Sequence, residues 1–326
     1  MANLRIERLY SSPVLFNGLA SLVINKTEAK IITSHHKKVL QDLAHLPSYS
    51  SSEHVYFLTG SPPSDAIIAM KMFTLLSMIA RLGSQTLLFS LAIYCIHNKV
   101  TASWFYHLQE LSILFDLPLP LEILLNPPEK AQFRRLVRKK VLTHYHTTLS
   151  QSIIKKPRLR YLRTEFIPLG SGPHPILSSC NLSISSIKAA ALHASIIGGK
   201  YHDDELLSKW SDSLNGECTY CDFNPGNWVH WVSFWCPAFK TVLLDTFQHS
   251  LQYLESFPYL LEPVNLALEK SPEEWGGFLA DPSTNEVVIR ISQDYGRESI
   301  WPLFRLSRAM FWSMDRQRKK LLSDFR

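Results

Sequence analysis

The sequence predicts a mainly α-helical protein, and three observations support this. Apolar residues recur at helical spacing along most of its 326 residues. Clusters of proline, glycine and serine divide the chain into helix-length segments. Cysteines and a histidine gather after residue 217, in a stretch short enough to form a separate module. We therefore expect a multi-helix region, a small metal-binding module and a C-terminal helix.

The most regular helical pattern runs through the middle of the chain. Its apolar positions recur every four residues, at Phe133, Val137, Val141, Tyr145, Leu149 and Ile153, and mark one face of a helix. Less regular helical patterns cover residues 27–46, 66–96, 103–115, 183–197, 205–214 and 298–322. Breaks are expected at residues 47–53, 60–65, 126–130 and 170–175. Residues 286–291, EVVIRI, alternate in polarity, which predicts one short strand.

The most apolar stretch is residues 66–96, and it raises the question of a membrane. Lys71 and Arg81 interrupt it, and its longest uncharged run, 82–96, has 15 residues. A helix needs roughly 20 apolar residues to cross a bilayer. We therefore expect a buried helix pair and no membrane partner. The N-terminus shows no signal-peptide pattern, so secretion is not expected.

The composition favours an intracellular protein that can fold by itself. Apolar residues make up 46% of the chain and charged residues 19%, with a net charge of +6. This charge favours an anionic partner, although ordinary soluble proteins carry similar surpluses. The five cysteines are an odd number, and two of them form a C-x2-C pair. That pattern indicates a reducing compartment and a metal site instead of a disulfide framework.

The basic surplus is concentrated in residues 130–163. This segment contains no Asp or Glu and eleven basic residues: Lys130, Arg134, Arg135, Arg138, Lys139, Lys140, Lys155, Lys156, Arg158, Arg160 and Arg163. Guanidinium groups beside an apolar stripe can contact phosphates while the helix packs on its core. The alternative is a solvated helix face. A second cluster, at residues 316–320, is also explained by charge compensation at a helix C-terminus.

The cysteine and histidine cluster has the spacing C-x2-C-x8-H-x5-C, given by Cys218, Cys221, His230 and Cys236. Thiolates and imidazole in such a set suit tetrahedral zinc, which would be the cofactor. The alternative is a knot of aromatic side chains with incidental cysteines. The same aromatic side chains suit either core packing or base stacking. Cys95 and Cys180 stand alone and are expected to be small buried residues.

The spacing between His230 and Cys236 constrains the local structure. Residues six apart on a regular helix are separated by about 9 Å of rise and point in different directions. They cannot both bind one ion from an unbroken helix. Either His230 precedes the helix, or residues 231–235 are irregular.

The tetrapeptide YHDD at residues 201–204 has the form of a polymerase metal motif. Polymerases need a further aspartate on a strand, and no strand-like run flanks this motif. We expect Asp203 or Asp204 to cap the helix that follows. No catalytic residue is assigned.

The order of these features resembles the C-terminal, post-polymerase part of the open reading frame 2 protein of LINE-type (non-LTR) retrotransposons. SPVLFNGLASLVINKTEAKIITSHHKKVLQDLAHLP looks like the end of the thumb, and HVYFLTGSPPSDA and WFYHLQELSILFDLPLPLEILLNPPEKAQFRRLVRKKV look like the linker that follows. IKAAALHASIIGGKYHDDELLSKWS is similar to the helix before the zinc knuckle. The knuckle ends in CPAF, and SIWPLFRLSRAMFWSMDRQRKKLL is similar to the terminal helix. The gap between His230 and Cys236 is one residue longer than usual in the family, which leaves the third or fourth ligand open.

The resemblance implies four segments: a thumb-end helix at 1–55, a basic helical linker region at 56–210, a zinc knuckle at 211–240 and a helical tail at 241–326. It implies a non-catalytic piece that positions RNA or DNA for a missing N-terminal polymerase portion, within a cytoplasmic or nuclear ribonucleoprotein. Two alternatives stay open. The full-length protein is an RNA-directed DNA polymerase of which this chain is a truncated piece, or the chain is an inactive retrotransposon remnant.

Overall fold

A computed structural model describes residues 16, 18–162, 164, 169–181, 183–211 and 215–324. These residues form sixteen α-helices and no strands. The first eight helices are α1 (Lys26–Leu43), α2 (Ser52–Thr59), α3 (Ser64–Leu82), α4 (Leu87–His97), α5 (Trp104–Phe115), α6 (Pro120–Leu125), α7 (Lys130–Ile154) and α8 (Pro175–Ser178). The others are α9 (Ile184–Ile197), α10 (Asp204–Ser208), α11 (Trp228–Val232), α12 (Pro237–Leu254), α13 (Leu261–Leu268), α14 (Pro272–Ala280), α15 (Glu286–Tyr295) and α16 (Trp301–Asp324).

The prediction of a mainly helical fold is confirmed, whereas the predicted strand at 286–291 is wrong. These residues open α15, because Asn285 accepts hydrogen bonds from the backbone N–H groups of Val287 and Val288 and caps the helix. Val288 and Ile291 are three residues apart and both are buried. The segment therefore packs as one face of a helix.

Contacts divide the chain into two compact units, each built from separated stretches of sequence. The first unit contains residues 1–43, 59–152 and 168–172, and the second contains residues 44–58, 153–167 and 173–326. The units are defined by packing. The four segments proposed from the sequence stay a prediction about how the chain is organised.

The first unit is centred on α3. Met72, Phe73 and Leu76 of this helix are almost completely buried. The predicted stripe on α7 supplies Phe133, Val137 and Val141 to the same core. Because the apolar and the basic residues of α7 lie on different faces, the apolar face packs inward and the charges stay in solvent.

The apolar stretch at 66–96 forms a helix pair, as predicted, but only α3 is largely buried. Leu87 and Tyr94 of α4 keep 85% and 61% of their surface exposed. No single helix among the described residues has the length and hydropathy to cross a membrane, and α3 and α4 together reach that hydropathy but are bent by 117°.

The second unit is organised around its long last helix, α16, which packs on α9 and α12. Buried polar side chains connect α8 and its flanking residues to other parts of this unit. His174 Nε2 lies 3.1 Å from Asp281 Oδ2. The guanidinium of Arg308 donates to the carbonyl groups of Ile176 and Ser179 and to the hydroxyl of Ser179. The buried Arg308 therefore has three hydrogen-bond acceptors, as a charge in the low dielectric of the interior requires.

A candidate metal centre

The first pair of cysteines lies on a tight turn. The backbone N–H of Cys218 donates to the carbonyl of Phe223 at 2.8 Å, and that of Asp222 donates to the carbonyl of Cys218 at 2.9 Å. Asp222 has a φ of 56°, which reverses the chain. The returning segment of the turn passes so close that a Cβ at Gly226 would overlap the backbone of Cys218. Glycine is required there for the two segments to approach each other.

His230 and Cys236 come from different helices. Asn227 caps the five-residue helix α11 by accepting the backbone N–H of His230 at 3.0 Å. The helix ends at Val232, and Phe234 follows with a φ of 65°. Cys236 then stands at the N-cap of α12, ahead of Pro237. The predicted irregularity at residues 231–235 is confirmed, and it turns both side chains toward the cysteine pair.

The four side chains converge on one point. Their ligand atoms all lie within 4.8 Å of one another. Cys218 Sγ is 3.8 Å from Cys236 Sγ, and Cys221 Sγ is 3.1 Å from His230 Nε2. Two thiolates on a tetrahedral zinc with bonds of about 2.3 Å stand about 3.8 Å apart. The cluster can hold a metal ion, and the separation of Cys218 Sγ from Cys236 Sγ is the one expected for two thiolates on one such ion.

The thiols influence one another electrostatically. The contact between the Cys218 and Cys236 thiols lowers the pKa of Cys218 and raises the pKa of Cys236. The indole N–H of Trp231 also donates to Cys218 Sγ, at 3.3 Å. Cys218 is therefore the position at which a thiolate is stabilised by the protein itself.

Side chains outside the ligand set hold the turn in place. Asp204 accepts hydrogen bonds from the backbone N–H and the hydroxyl of Thr219, at 3.0 and 3.1 Å. Arg318 of α16 lies 3.7 Å from Asp204 and places its guanidinium 5.0 Å from the Trp231 ring centroid. The His230 ring stacks on Phe223 at 4.4 Å, and its buried Nδ1 makes no hydrogen bond to a described residue. No fixed sequence spacing connects these supporting residues to the four candidate ligands, so their supporting role could not be predicted from the sequence.

The aromatic residues near the cluster serve mainly as core. Trp228 and Trp231 are 6% and 0% exposed, and Trp231 stacks on Phe239. Trp235 differs, with 58% of its surface exposed. Core packing, one of the two predicted roles, thus applies to Trp228 and Trp231. The cluster of aromatic side chains and the converging cysteines, which the sequence suggested as alternatives, are both present.

The YHDD segment serves as a helix start, as predicted. Asp203 caps α10 by accepting the Leu206 N–H at 2.9 Å, and its other oxygen accepts the Trp228 N–H at 3.2 Å. Burial raises the pKa of Asp203 to about 6, against the effect of these two hydrogen bonds. The carboxylate is engaged on both oxygens and joins α10 to α11.

The predicted basic residues fall into two groups. Arg134, Arg135, Arg138 and Lys139 are exposed on α7 in the first unit, and Lys140 there pairs with Asp116. Lys155, Arg158 and Arg160 are exposed in the second unit, where Lys156 pairs with Glu53 at 2.7 Å. Arg163 lies outside the described residues. The segment is therefore not one continuous unpaired surface, because two of its lysines pair with acids from elsewhere in the chain.

The second basic cluster is also partly engaged. Lys319 pairs with Asp315 at 2.6 Å, and Arg318 lies near Asp204 and over the Trp231 ring. Cys95 and Cys180, predicted to be buried, are only partly buried.

No protein-family model matches this chain, and searches of curated proteins and of solved structures find no similar protein.

Proposed function

We propose that this protein binds nucleic acid through the exposed face of α7 and that a zinc ion holds its second unit together. The observation that carries the proposal is the arrangement of α7. Phe133, Val137 and Val141 point into the core, and the opposite face presents Arg134, Arg135, Arg138 and Lys139. Guanidinium and ammonium groups on one helix face match the phosphates of a nucleic acid backbone.

The availability of these cations supports the proposal. Among the described residues, no ion pair or side-chain hydrogen bond engages Arg134 or Lys139, and Arg135 has an electrostatic interaction with Glu129 but no ion pair. Arg138 donates to the carbonyl of Gly170 at 3.1 Å and keeps its charge uncompensated. A helix face used only for solubility would gain from interspersed acids four residues away, and α7 has none.

The distribution of charge supports it as well. The first unit contains 15 Lys and Arg residues against 8 Asp and Glu, whereas the second contains 19 against 20. The basic surplus of the protein thus belongs to the unit that carries α7. A local surplus of this kind favours association with a polyanion at low salt.

Zinc is the ion that we propose for the Cys218, Cys221, His230 and Cys236 cluster. Three thiolates and one imidazole are preferred by zinc, and a site closed by four protein ligands is typical of structural zinc. When bound, the ion cross-links the turn at 218–223 to α11 and α12. The protein residues themselves orient the ligands and exclude water from Cys218 and Cys236, which are buried.

We propose that the chain derives from the C-terminal part of a LINE-type reverse transcriptase protein and works in an intracellular ribonucleoprotein. The order of motifs and the convergence of the four predicted ligands support this origin. The two alternatives, a polymerase of which this is a piece and an inactive remnant, predict different upstream DNA. An in-frame polymerase palm directly upstream supports the first, and a disrupted one supports the second.

The test of nucleic acid binding is fluorescence anisotropy with a labelled RNA hairpin and a labelled DNA duplex. Changing Arg134, Arg135 and Arg138 to Glu should weaken binding and reduce the slope of log K against log salt by about 0.9 for each phosphate that the variant no longer neutralises. A matched control changes the exposed Lys26, Lys30 and Lys38 of α1 to Glu. Equal affinity and equal slope in wild type and the α7 variant would contradict the proposal.

A further inference from the structure

A small cavity lies within the second unit. Its volume is about 130 Å³. One wall is the turn at Pro157–Leu159 with the residues that follow, and another is the chain around Gly199. Trp228, the first residue of α11, lines it as well. The cavity therefore joins the second basic group of residues to the element that carries His230.

Two arginines stand at this cavity. Arg158 and Arg160 are exposed, and neither forms an ion pair with a carboxylate in the described part of the chain. The Arg160 guanidinium lies 4.8 Å from the ring centroid of Tyr161. A cation held beside an aromatic ring in the lining of a cavity is suited to an anionic group that carries a flat ring.

The backbone fixes the position of Arg158. Gly199 has a φ of 60°, and a Cβ at this residue would overlap the carbonyl of Arg158. The two segments can approach only because residue 199 is glycine. The arginine thus stands on a defined backbone segment.

Aromatic side chains line the cavity. The Tyr161 and Trp228 ring centroids are 4.9 Å apart with the rings inclined by 66°. Trp228 is 6% exposed, and its backbone N–H donates to Asp203. Trp228 is two residues before His230, so the cavity and the candidate metal centre share α11.

The acidic residues at the cavity are already engaged. Asp203 accepts two backbone N–H groups, as described above. Glu205 pairs with Lys209 at 2.9 Å and accepts the side-chain N–H of Asn227 at 3.1 Å. The Arg160 guanidinium also interacts electrostatically with the Glu205 carboxylate. Neither arginine forms an ion pair with a carboxylate in the described part of the chain, so both can meet an incoming anion.

We propose that this cavity binds one nucleotide of a single-stranded nucleic acid, with Arg158 and Arg160 at the phosphate and the base against Tyr161. The proposal rests on the nucleic acid binding proposed above and adds a second contact site with a preference for single strands. Bases in a duplex are stacked and paired, so they cannot enter a cavity of this size. A single strand offers both a free ring and a phosphate.

The experiment measures anisotropy of a labelled 15-nucleotide RNA and of the same RNA in a duplex, with the full chain. Changing Arg158 and Arg160 together to Glu should weaken single-strand binding on the order of tenfold and weaken duplex binding much less. A control with the same charge change carries Glu at Lys240 and Arg290, which are exposed on α12 and α15 and do not line the cavity. Equal loss for both RNAs, or for both variants, would overturn the proposal.

A second readout does not depend on charge. RNA containing 4-thiouridine should cross-link to a peptide containing Tyr161 or Trp228 in wild type, and Tyr161→Leu should reduce that cross-link. Cross-links confined to α7 would overturn the cavity as a site. The two proposals fail separately: wild type that binds no nucleic acid defeats the proposed function, and wild type that binds equally well without Arg158 and Arg160 defeats only the inference.

Discussion

The indole of Trp231 connects the candidate metal ligands to the core of the second unit. Its N–H donates to Cys218 Sγ, one face stacks on Phe239, and the Arg318 guanidinium lies within 5.0 Å of the ring centroid. A donor to a ligating thiolate fixes the direction of the sulfur and lowers its charge density. Residues that support metal ligands in this way typically affect affinity by about 10 to 100-fold.

Trp231→Phe should therefore weaken zinc binding about tenfold while keeping the stacking on Phe239. Competition with a chromophoric chelator measures the affinity. Trp235→Phe is the matched control, because Trp235 is 58% exposed and its indole makes no hydrogen bond to a described residue. Equal zinc affinity in the two variants would show that the indole has no influence on the site.

A second residue-scale prediction concerns His193, which is 0% exposed. Its Nε2 donates to the carbonyl of Ala280 at 2.7 Å, and burial lowers its pKa to about 3. The unfolded chain would have the ordinary value of 6.5. The stability that depends on neutral His193 is thus complete above pH 6.5 and is lost as the pH falls toward 3, by up to about 1.4 kcal/mol for each pH unit.

His193→Gln removes this titration and leaves an N–H for Ala280. Denaturant unfolding of wild type and variant at several pH values should give a difference in the free energy of unfolding that shifts in favour of the variant below pH 6.5. Acid loss of the metal affects both proteins and cancels in the difference. A constant difference between pH 7 and pH 4 would contradict the assignment.

The sequence showed which side chains converge but not what supports them. C-x2-C and a following histidine have a spacing rule, so Cys218, Cys221, His230 and Cys236 could be named in advance. Asp204 and Arg318 act across 15 and 114 residues of chain, on Thr219 and on Asp204 respectively. Contacts over such separations leave no local pattern. The burial of His193 could likewise not be predicted, because a single histidine in an apolar helix belongs to no recognisable sequence pattern.

At the scale of elements, helical periodicity predicted the structure correctly where the apolar stripe was long. The six apolar positions of α7 predicted its buried face, of which Phe133, Val137 and Val141 are in the core of the first unit. The short run at 286–291 led to the wrong prediction of a strand, because Val287, Val288 and Ile289 are β-branched and such residues favour strands. Their alternation with Glu286 and Arg290 is weak. The cap formed by Asn285 was the competing signal.

Asn285→Ala tests that cap. Loss of the side-chain acceptor leaves two backbone N–H groups of α15 without this partner, which should lower the free energy of unfolding by about 1 kcal/mol. Asn265→Ala, at an exposed position inside α13, is the control and should be neutral or slightly stabilising because alanine is the better helix former. The reverse order of stabilities in a urea titration would contradict the capping role.

At the scale of the whole molecule, the two units draw on interleaved stretches of sequence. Residues 44–58 and 153–167 belong with the C-terminal half, and residues 168–172 belong with the first unit. Composition and local periodicity carry no information on which distant segments pack together. Proline and glycine clusters at 60–65 and 170–175 do lie close to points at which the chain passes from one unit to the other.

The metal centre belongs to the second unit, which predicts a local effect of metal removal. Amide hydrogen exchange after chelation should increase in residues 216–240, since the turn, α11 and the start of α12 lose their cross-link. Exchange in α3 and α5 of the first unit should stay unchanged. Equal acceleration in both units would show that the centre does not act locally.

Elemental analysis of the purified full chain tests the central claim most directly. We expect about one zinc ion per wild-type chain, almost none in Cys218→Ser, and wild-type content in Cys180→Ser, whose sulfur lies outside the cluster. Wild-type protein that is helical and free of zinc after purification and after incubation with the ion would contradict the account.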